Sequence, residues 1–339
     1  MTHPTSVVVR APAKLNLFLE LVARRTDGYH DIDTVMVPID RFDTLVVTRV
    51  HRNGVEIETR WSPSRDAWLS ALGGDEAAHL IDIPSDDRNL VYRAIQSTCE
   101  LVGVTPSFQV LIRKRIPAGA GMGGASSDAA AAIRASAALL GLADDDQRLW
   151  DVAAQIGSDV PFFLGPQTAR EGTDIACRTI GAIRATGRGD LLTPLAMARP
   201  LKLLVAYPAT SLSTAQVYRS CVVPGVPTSA DAMAGALAVG NIDTMGREMV
   251  NRLTDPAINL SPMVKDLLDQ MWRCKLPRCQ LTGSGSACFS LLDDSVDGIA
   301  VVDRLRKSLR EISLNAVVFL ATTITIPQHL RRLDKKFAD

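Results

Sequence analysis

The chain carries no excess of either charge: its 37 Lys and Arg residues are matched by 37 Asp and Glu. Nothing in that balance argues for a nucleic acid or a membrane surface as partner. Although 47% of the residues are hydrophobic, no uninterrupted apolar run reaches the roughly 18 residues of a spanning helix, so a soluble protein is expected. The first apolar run, Val7-Val8-Val9, is three residues long and is followed at once by Arg10 and the segment Ala11-Pro12-Ala13-Lys14. That pattern predicts neither a secretory signal nor a transit peptide, and a cytoplasmic location. The six cysteines (Cys99, Cys177, Cys221, Cys274, Cys279, Cys288) form no C-x-x-C pair. In a reducing compartment they read as small buried apolar residues, Cys288 as strand core. The five histidines are scattered, which argues against a dedicated zinc site. Neither a solenoid-period repeat nor a low-complexity tract is present. Small molecules are therefore the expected partners, and 339 residues suffice for two domains with sizeable cores.

Glycine, by contrast, is dense in one place. Pro117-Ala118-Gly119-Ala120-Gly121-Met122-Gly123-Gly124-Ala125-Ser126-Ser127 runs directly into the alanine-rich segment Asp128 to Leu140. Glycines let backbone N–H groups approach a ligand, and the following helix offers its unpaired donors and positive dipole end to an anion. A phosphate site is the natural reading. Gly119, Gly121 and Gly124 satisfy G-x-G-x-x-G, with the acidic run Asp144 to Asp146 about 20 residues on, as a dinucleotide site would have. The preceding segment Phe108 to Arg115 is half polar, however, and ends in Ile116-Pro117, unlike a central parallel strand. The G-x-x-x-x-G-K-[ST] pattern fails as well, because no lysine follows the glycines. Phosphates would be held by backbone and hydroxyl groups, with any lysine supplied from elsewhere.

Strands are predicted at Val7 to Val9, Leu15 to Val22, Asp33 to Pro38, Thr44 to Val50 and Phe108 to Arg113, with a turn at Thr26-Asp27-Gly28. A helix fits Leu90 to Val102, capped by Asp86-Asp87, and another Gln147 to Ile156. Later strands (Leu201 to Tyr207, Cys279 to Thr282, Cys288 to Leu292, Ala316 to Leu320) mix with helices (Ser229 to Val239, Pro262 to Trp272, Asp297 to Leu309). This irregular alternation predicts α+β layers. The loop-rich stretch from Gly165 to Thr193 is the expected boundary, giving domains 1–170 and 171–339. The segment Arg60 to Pro84, with Trp61 and Trp68, reads as a surface insertion or, more sharply, as an oligomer contact through exposed tryptophans, in a monomer or weak homodimer.

The glycine run resembles the second signature of the GHMP small-molecule kinases. Ala11-Pro12-Ala13-Lys14-Leu15-Asn16-Leu17 resembles the first motif of that family and Leu281-Thr282-Gly283-Ser284-Gly285-Ser286-Ala287 its third. Arg25-Thr26-Asp27-Gly28-Tyr29-His30 and Ile156-Gly157-Ser158-Asp159-Val160-Pro161-Phe162 are closest to the branch that acts on diphosphocytidyl methylerythritol. The resemblance spans almost the whole chain. It implies a two-domain α+β fold, an N-terminal domain like ribosomal protein S5 domain 2 and a ferredoxin-like C-terminal domain. It also implies an ATP-dependent kinase of the non-mevalonate isoprenoid precursor pathway, using Mg2+ and phosphorylating the 2-hydroxyl of that substrate.

Residue by residue, Asp159 sits between Gly157-Ser158 and an apolar run, at an expected helix-to-loop boundary. The resemblance makes it catalytic, with Lys14 beside it. Strand alternation puts Lys14, Asn16 and Phe18 on one face, away from Leu15, Leu17 and Leu19, and the resemblance gives Asn16 to the substrate. It assigns the cytosine to Tyr29, His30 and Tyr218, with Thr214 four residues before Tyr218 on the same face if helical. ATP falls to Pro117 to Ser127, with Asn89 and Lys114 at the adenine side. Ser126 and Ser127 are candidates for phosphate or for a magnesium-bound water, Asp128 reads equally as an acid complementing the helix dipole, and the metal's ligands are left unassigned. The rival readings are another GHMP kinase with a smaller alcohol, a non-catalytic ligand-binding protein on the same fold and, last, a dinucleotide-dependent oxidoreductase.

Overall fold

The computed structural model describes residues 5–165 and 181–324. Its first two strands, β1 (Ser6–Arg24) and β2 (His30–Arg49), form one long antiparallel hairpin. Each joins two segments that the sequence pattern separates. Their turn closes through Arg25 and Tyr29, with Gly28 at φ +86°. There follow β3 (Gly54–Trp61), α1 (Arg65–Leu72), a short 3-10 helix (Asp75–Leu80), α2 (Leu90–Leu101), β4 (Ser107–Lys114), α3 (Gly124–Leu140), α4 (Arg148–Ile156) and α5 (Val160–Leu164). The second half holds β5 (Ala182–Gly187), β6 (Leu191–Leu195), β7 (Lys202–Pro208), α6 (Thr214–Arg219), α7 (Asp231–Val239) and α8 (Ile242–Glu248). It ends with β8 (Val250–Asn251), α9 (Thr254–Leu260), α10 (Pro262–Arg273), β9 (Cys279–Leu281), β10 (Cys288–Leu292), α11 (Gly298–Glu311) and β11 (Ala316–Thr322). Among the described residues no helix is long and apolar enough to cross a membrane.

Two sheets organise the chain. The first runs β3-β4-β2-β1-β8, with β5 and β6 continuing from β2; the second, all antiparallel, runs β11-β7-β10-β9. One face of the first sheet is covered by α2, α3, α4 and α5 through a core that includes Val47, Val110, Ile133 and Phe162. Its other face meets the second sheet: Leu15, Leu17, Phe18 and Val37 pack in one cluster with Leu203, Val205, Phe289 and Leu291. A third cluster, with Val264, Leu267, Val302 and Leu305, covers the far side of the second sheet with α10 and α11. The result is layered α+β, as expected. The alanines of α3 are what let it lie close between β1 on one side and α2 and α5 on the other: Ala129, Ala130, Ala132 and Ala135 are all buried, and side chains this small let backbones approach closely.

Three expectations are corrected. Asn89, rather than Asp86 or Asp87, caps α2, its Oδ1 accepting from Val91 N at 2.9 Å; Asp86 instead holds Arg88. The 170/171 boundary lies outside the described residues, but β5 and β6, read as loop, form a hairpin paired to β2. Short strands interrupted by Gly187-Arg188-Gly189 carry too little alternation to be seen. Finally, Arg60 to Pro84 does not expose its tryptophans. Trp68 is 3% exposed and joins the core between the sheets with Leu69, Leu72 and Leu80. Trp61 lies against it, ring centroids 5.0 Å apart, and donates its indole N–H to Ile81 O at 2.9 Å. The segment is part of the packing, with Trp68 buried and Trp61 partly buried against it, so its tryptophans are not the exposed pair expected.

Candidate active site

The three glycine- and lysine-bearing motifs meet at one end of the shared core, around a cavity of about 900 Å³. Lys14, Asn16, Tyr29, His30, Asn89, Lys114, Asp159, Thr214 and Tyr218 all line it, together with most of the glycine loop. The first motif reaches it through a bulge in β1. Asn16 pairs with Met36 but Phe18 with Val35, so Leu17 is the extra residue and the pleat changes parity there. Lys14 and Asn16 therefore face the cavity and are followed on that face by Leu19, while Phe18 turns into the core. This corrects the simple alternation, which grouped Phe18 with Lys14 and Asn16.

The glycine loop crosses from β4 to α3. Gly119, Gly121 and Gly123 all have positive φ, between 64° and 72°, where only glycine sits without strain. At Gly121 this is compounded by contact: a Cβ there would lie 2.1 Å from Thr282 O. The third motif is the turn between β9 and β10, and it clamps the loop from the second sheet, Ala287 N donating to Ala120 O at 3.1 Å. From the first sheet Lys14 N donates to Met122 O at 3.0 Å, so Met122 contributes its carbonyl while its side chain is buried. Ala125 lies inside α3, and the helix starts at Gly124 with Gly123 as its cap. Ser126 borders the cavity; Ser127 is buried with an unpartnered hydroxyl.

Beneath the loop, Lys114 is buried between two carboxylates, 2.5 Å from Asp43 and 2.6 Å from Asp128. Burial by itself would push the ammonium down, but the two charges together hold it above the ordinary lysine range. Asp128 is pushed up to about 7 by burial and by Asp43, against the pull of Lys114. Asp43 also accepts from Ile116 N at 3.0 Å, so this cluster fixes the strand end from which the loop departs. Asp43 and Thr34 are site-shaping residues that sequence reading missed, and Thr282 was read only as part of the third motif with no role of its own. Their partners lie tens to hundreds of residues away.

Asp159 stands at the N-terminal end of α5 without capping it, and its carboxylate, 38% exposed, opens into the cavity 3.7 Å from Lys14 Nζ. Lys14 is buried; desolvation lowers its pKa, opposed by Asp159. Its ammonium also donates to Asn16 Oδ1 at 2.6 Å. Also lining the cavity, His30 lies against Tyr218, ring centroids 5.7 Å apart, and burial together with Arg24 lowers the imidazole pKa, favouring the neutral ring. Tyr218 is raised by burial and by Asp159. Tyr29 is exposed, with the Arg188 guanidinium 4.2 Å over its ring. Thr214 and Tyr218 share α6, and Thr214 Oγ1 lies 2.9 Å from Ser284 Oγ of the third motif. Asn89 uses its side chain on Val91 N and Pro84 O, the latter at 2.7 Å, which leaves one amide proton and one lone pair for a ligand.

Residues 89–165 match the family described as GHMP kinases N terminal domain, and residues 233–311 that described as GHMP kinases C terminal. A 4-diphosphocytidyl-2-C-methyl-D-erythritol kinase of Rhodopirellula baltica is 42% identical over 91% of this chain and 93% of that protein. One of Geobacillus thermodenitrificans is 32% identical over 84% of this chain and 88% of its own length. Among solved structures, a 4-(cytidine 5'-diphospho)-2C-methyl-D-erythritol kinase superposes with a TM-score of 0.68 at 31% identity, covering 94% of this chain and 99% of that one. Homoserine kinase from Cytophaga hutchinsonii shares the fold, with a TM-score of 0.67 at 18% identity. The chain belongs to the GHMP kinase family, among the 4-diphosphocytidyl-2-C-methyl-D-erythritol kinases.

Proposed function

We propose that the chain transfers the γ-phosphoryl group of ATP to the 2-hydroxyl of 4-diphosphocytidyl-2-C-methyl-D-erythritol, a step towards isoprenoid precursors. The observation that carries this reading is the Lys14–Asp159 pair, 3.7 Å apart, in one cavity lined both by the glycine loop and by Tyr29, His30 and Tyr218. Phosphoryl transfer asks mainly for positioning and charge stabilisation, plus an acceptor near the attacking hydroxyl. Asp159 takes or orients the hydroxyl proton, and Lys14 holds the carboxylate and offsets charge on the nucleophile. The backbone of Pro117 to Ser127 and the N-terminus of α3 receive the triphosphate. Asn89 and Lys114 border the adenine side, and Asn16 and Thr214 meet the alcohol. The aromatic end takes the cytosine, Tyr29 and Tyr218 against its faces and neutral His30 at its edge.

Among the described residues no three His, Cys, Asp or Glu side chains converge on a possible ion site. A magnesium ion would therefore have to be held mainly by the nucleotide it accompanies, with Ser126, which borders the cavity, placed to meet a water of the ion. It would supply offsetting positive charge for the phosphates. The five described cysteines are unpaired, which supports a reducing, cytoplasmic compartment, and we place the enzyme there as a monomer or weak homodimer. The test is ADP release from ATP with the diphosphocytidyl alcohol, its uridine counterpart and free sugar alcohols, with the product's phosphate position read by 31P NMR. Equal use of the cytidine and uridine forms, or good turnover of a free alcohol, leaves the family standing and overturns the substrate.

A further inference from the structure

Asn16 is the hinge of a directional hydrogen-bond chain. Its Oδ1 accepts from Lys14 Nζ at 2.6 Å and from Thr282 Oγ1 at 3.4 Å, while its Nδ2 donates to Thr34 Oγ1 at 2.9 Å. Thr34 in turn donates its hydroxyl proton to Phe18 O at 2.6 Å. A carboxamide has two unlike ends, and an ammonium has only donors, so the oxygen end must face Lys14. What makes that orientation the single satisfied one is Thr34: with its proton committed to a backbone carbonyl, its oxygen can only accept, and so demands the NH2 end. Lys14, Asn16 and Thr34 are all buried, where an unpaired polar group is costly. Lys14 Nζ, fixed in this way by Asn16, is the group that stands 3.7 Å from Asp159.

We infer that Thr34 is a positioning residue for phosphoryl transfer: through the Asn16 carboxamide it holds the Lys14 ammonium at Asp159. Thr34 borders the cavity, so a direct contact with the substrate is the competing role. The two roles separate kinetically. Loss of a substrate contact raises KM, whereas loss of positioning lowers kcat with KM held.

The inference rests on the kinase reading, so the unmodified enzyme is first shown to turn over the diphosphocytidyl alcohol; failure there removes the substrate reading and not the relay. Thr34→Val keeps the shape and removes both hydrogen bonds. Its kcat is expected to fall by roughly 10- to 100-fold, the scale of a small misplacement of a catalytic group, with KM for ATP and for the alcohol within about twofold of the unmodified enzyme. Thr34→Ser, which retains the hydroxyl, is expected to restore kcat to within about threefold. Should Thr34→Val fail to fold, Thr34→Cys takes its place: a thiol is a weak acceptor, and the same kcat loss is expected. Unchanged kcat in the valine or cysteine variant overturns the inference. A raised KM at constant kcat does so too, as does a serine variant no better than the valine one.

Discussion

Gly121→Ala tests how the two sheets together build the phosphate loop. The residue sits at φ +72°, where a side chain costs roughly 1–2 kcal/mol. The new Cβ would also lie 2.1 Å from Thr282 O and 2.9 Å from Gly285 N. Both are backbone atoms, so no rotamer change relieves the overlap. The loop and the β9–β10 turn must part by roughly 1.3 Å or more to regain ordinary contact. That movement strains the bonds from Ala287 N to Ala120 O and from Lys14 N to Met122 O, each worth about 1 kcal/mol. The total is on the order of 3–4 kcal/mol of stability. Gly103→Ala supplies the control, since that glycine has φ +70° but nothing within 4 Å of a Cβ, so only the conformational part applies. Thermal and urea unfolding of the two variants, with calorimetric titration of ATP, gives the comparison. Equal stability losses in both, with native ATP affinity in Gly121→Ala, would refute the claim that close backbone contact sets this loop.

Asp159→Asn is expected to lower kcat by at least about 100-fold, the scale of a lost proton acceptor, with the ATP dissociation constant unchanged; single-turnover kinetics with wild-type rates would remove it from the mechanism. In the proposed reaction Lys14 acts as a cation, and burial sets its pKa below 10.5, so the charge is lost as pH rises through that lowered value. The kcat profile should accordingly fall below pH 10.5, and in Lys14→Arg the remaining activity should show no such limb, because a guanidinium stays protonated. Lys114→Met leaves Asp43 and Asp128 buried without their cation and should cost about 3–5 kcal/mol. Asp128 already has a raised folded pKa of about 7, so the folded state binds its proton more tightly than the unfolded chain; the deficit measured by urea unfolding should be smaller at pH 5 than at pH 8. Tyr29→Ala should lose roughly 1–3 kcal/mol of substrate binding, one base stack, and His30→Ala should relax discrimination between cytosine and uracil. Calorimetry and kcat/KM for both bases check these, with ATP affinity expected to stay constant.

Sequence alone determined the parts whose cause is local. The glycine spacing marks a loop that must approach a ligand, the alanines mark a helix that packs closely on every side, and the unbroken order of three motifs identifies the family. Most element positions followed from short-range periodicity, β4 and α10 among them. What local pattern could not carry was decided by tertiary structure. The bulge at Leu17 reverses the parity of β1, because pairing with β2 rather than composition sets the register. Trp68 is buried because α1 folds back onto the core between the sheets, which no window around residue 68 contains. Lys114, given by the resemblance to the adenine side, has its buried partners Asp43 and Asp128 at 71 and 14 residues away, and only the fold brings the three together. Thr34, a β-branched residue in β2, and Thr282, in the turn after β9, carry no site signal until folding places both against Asn16. The chemistry of this site was written in types and spacing, but its orientation rests on hydrogen bonds between residues up to 266 positions apart, and those exist only once the two sheets have closed on each other.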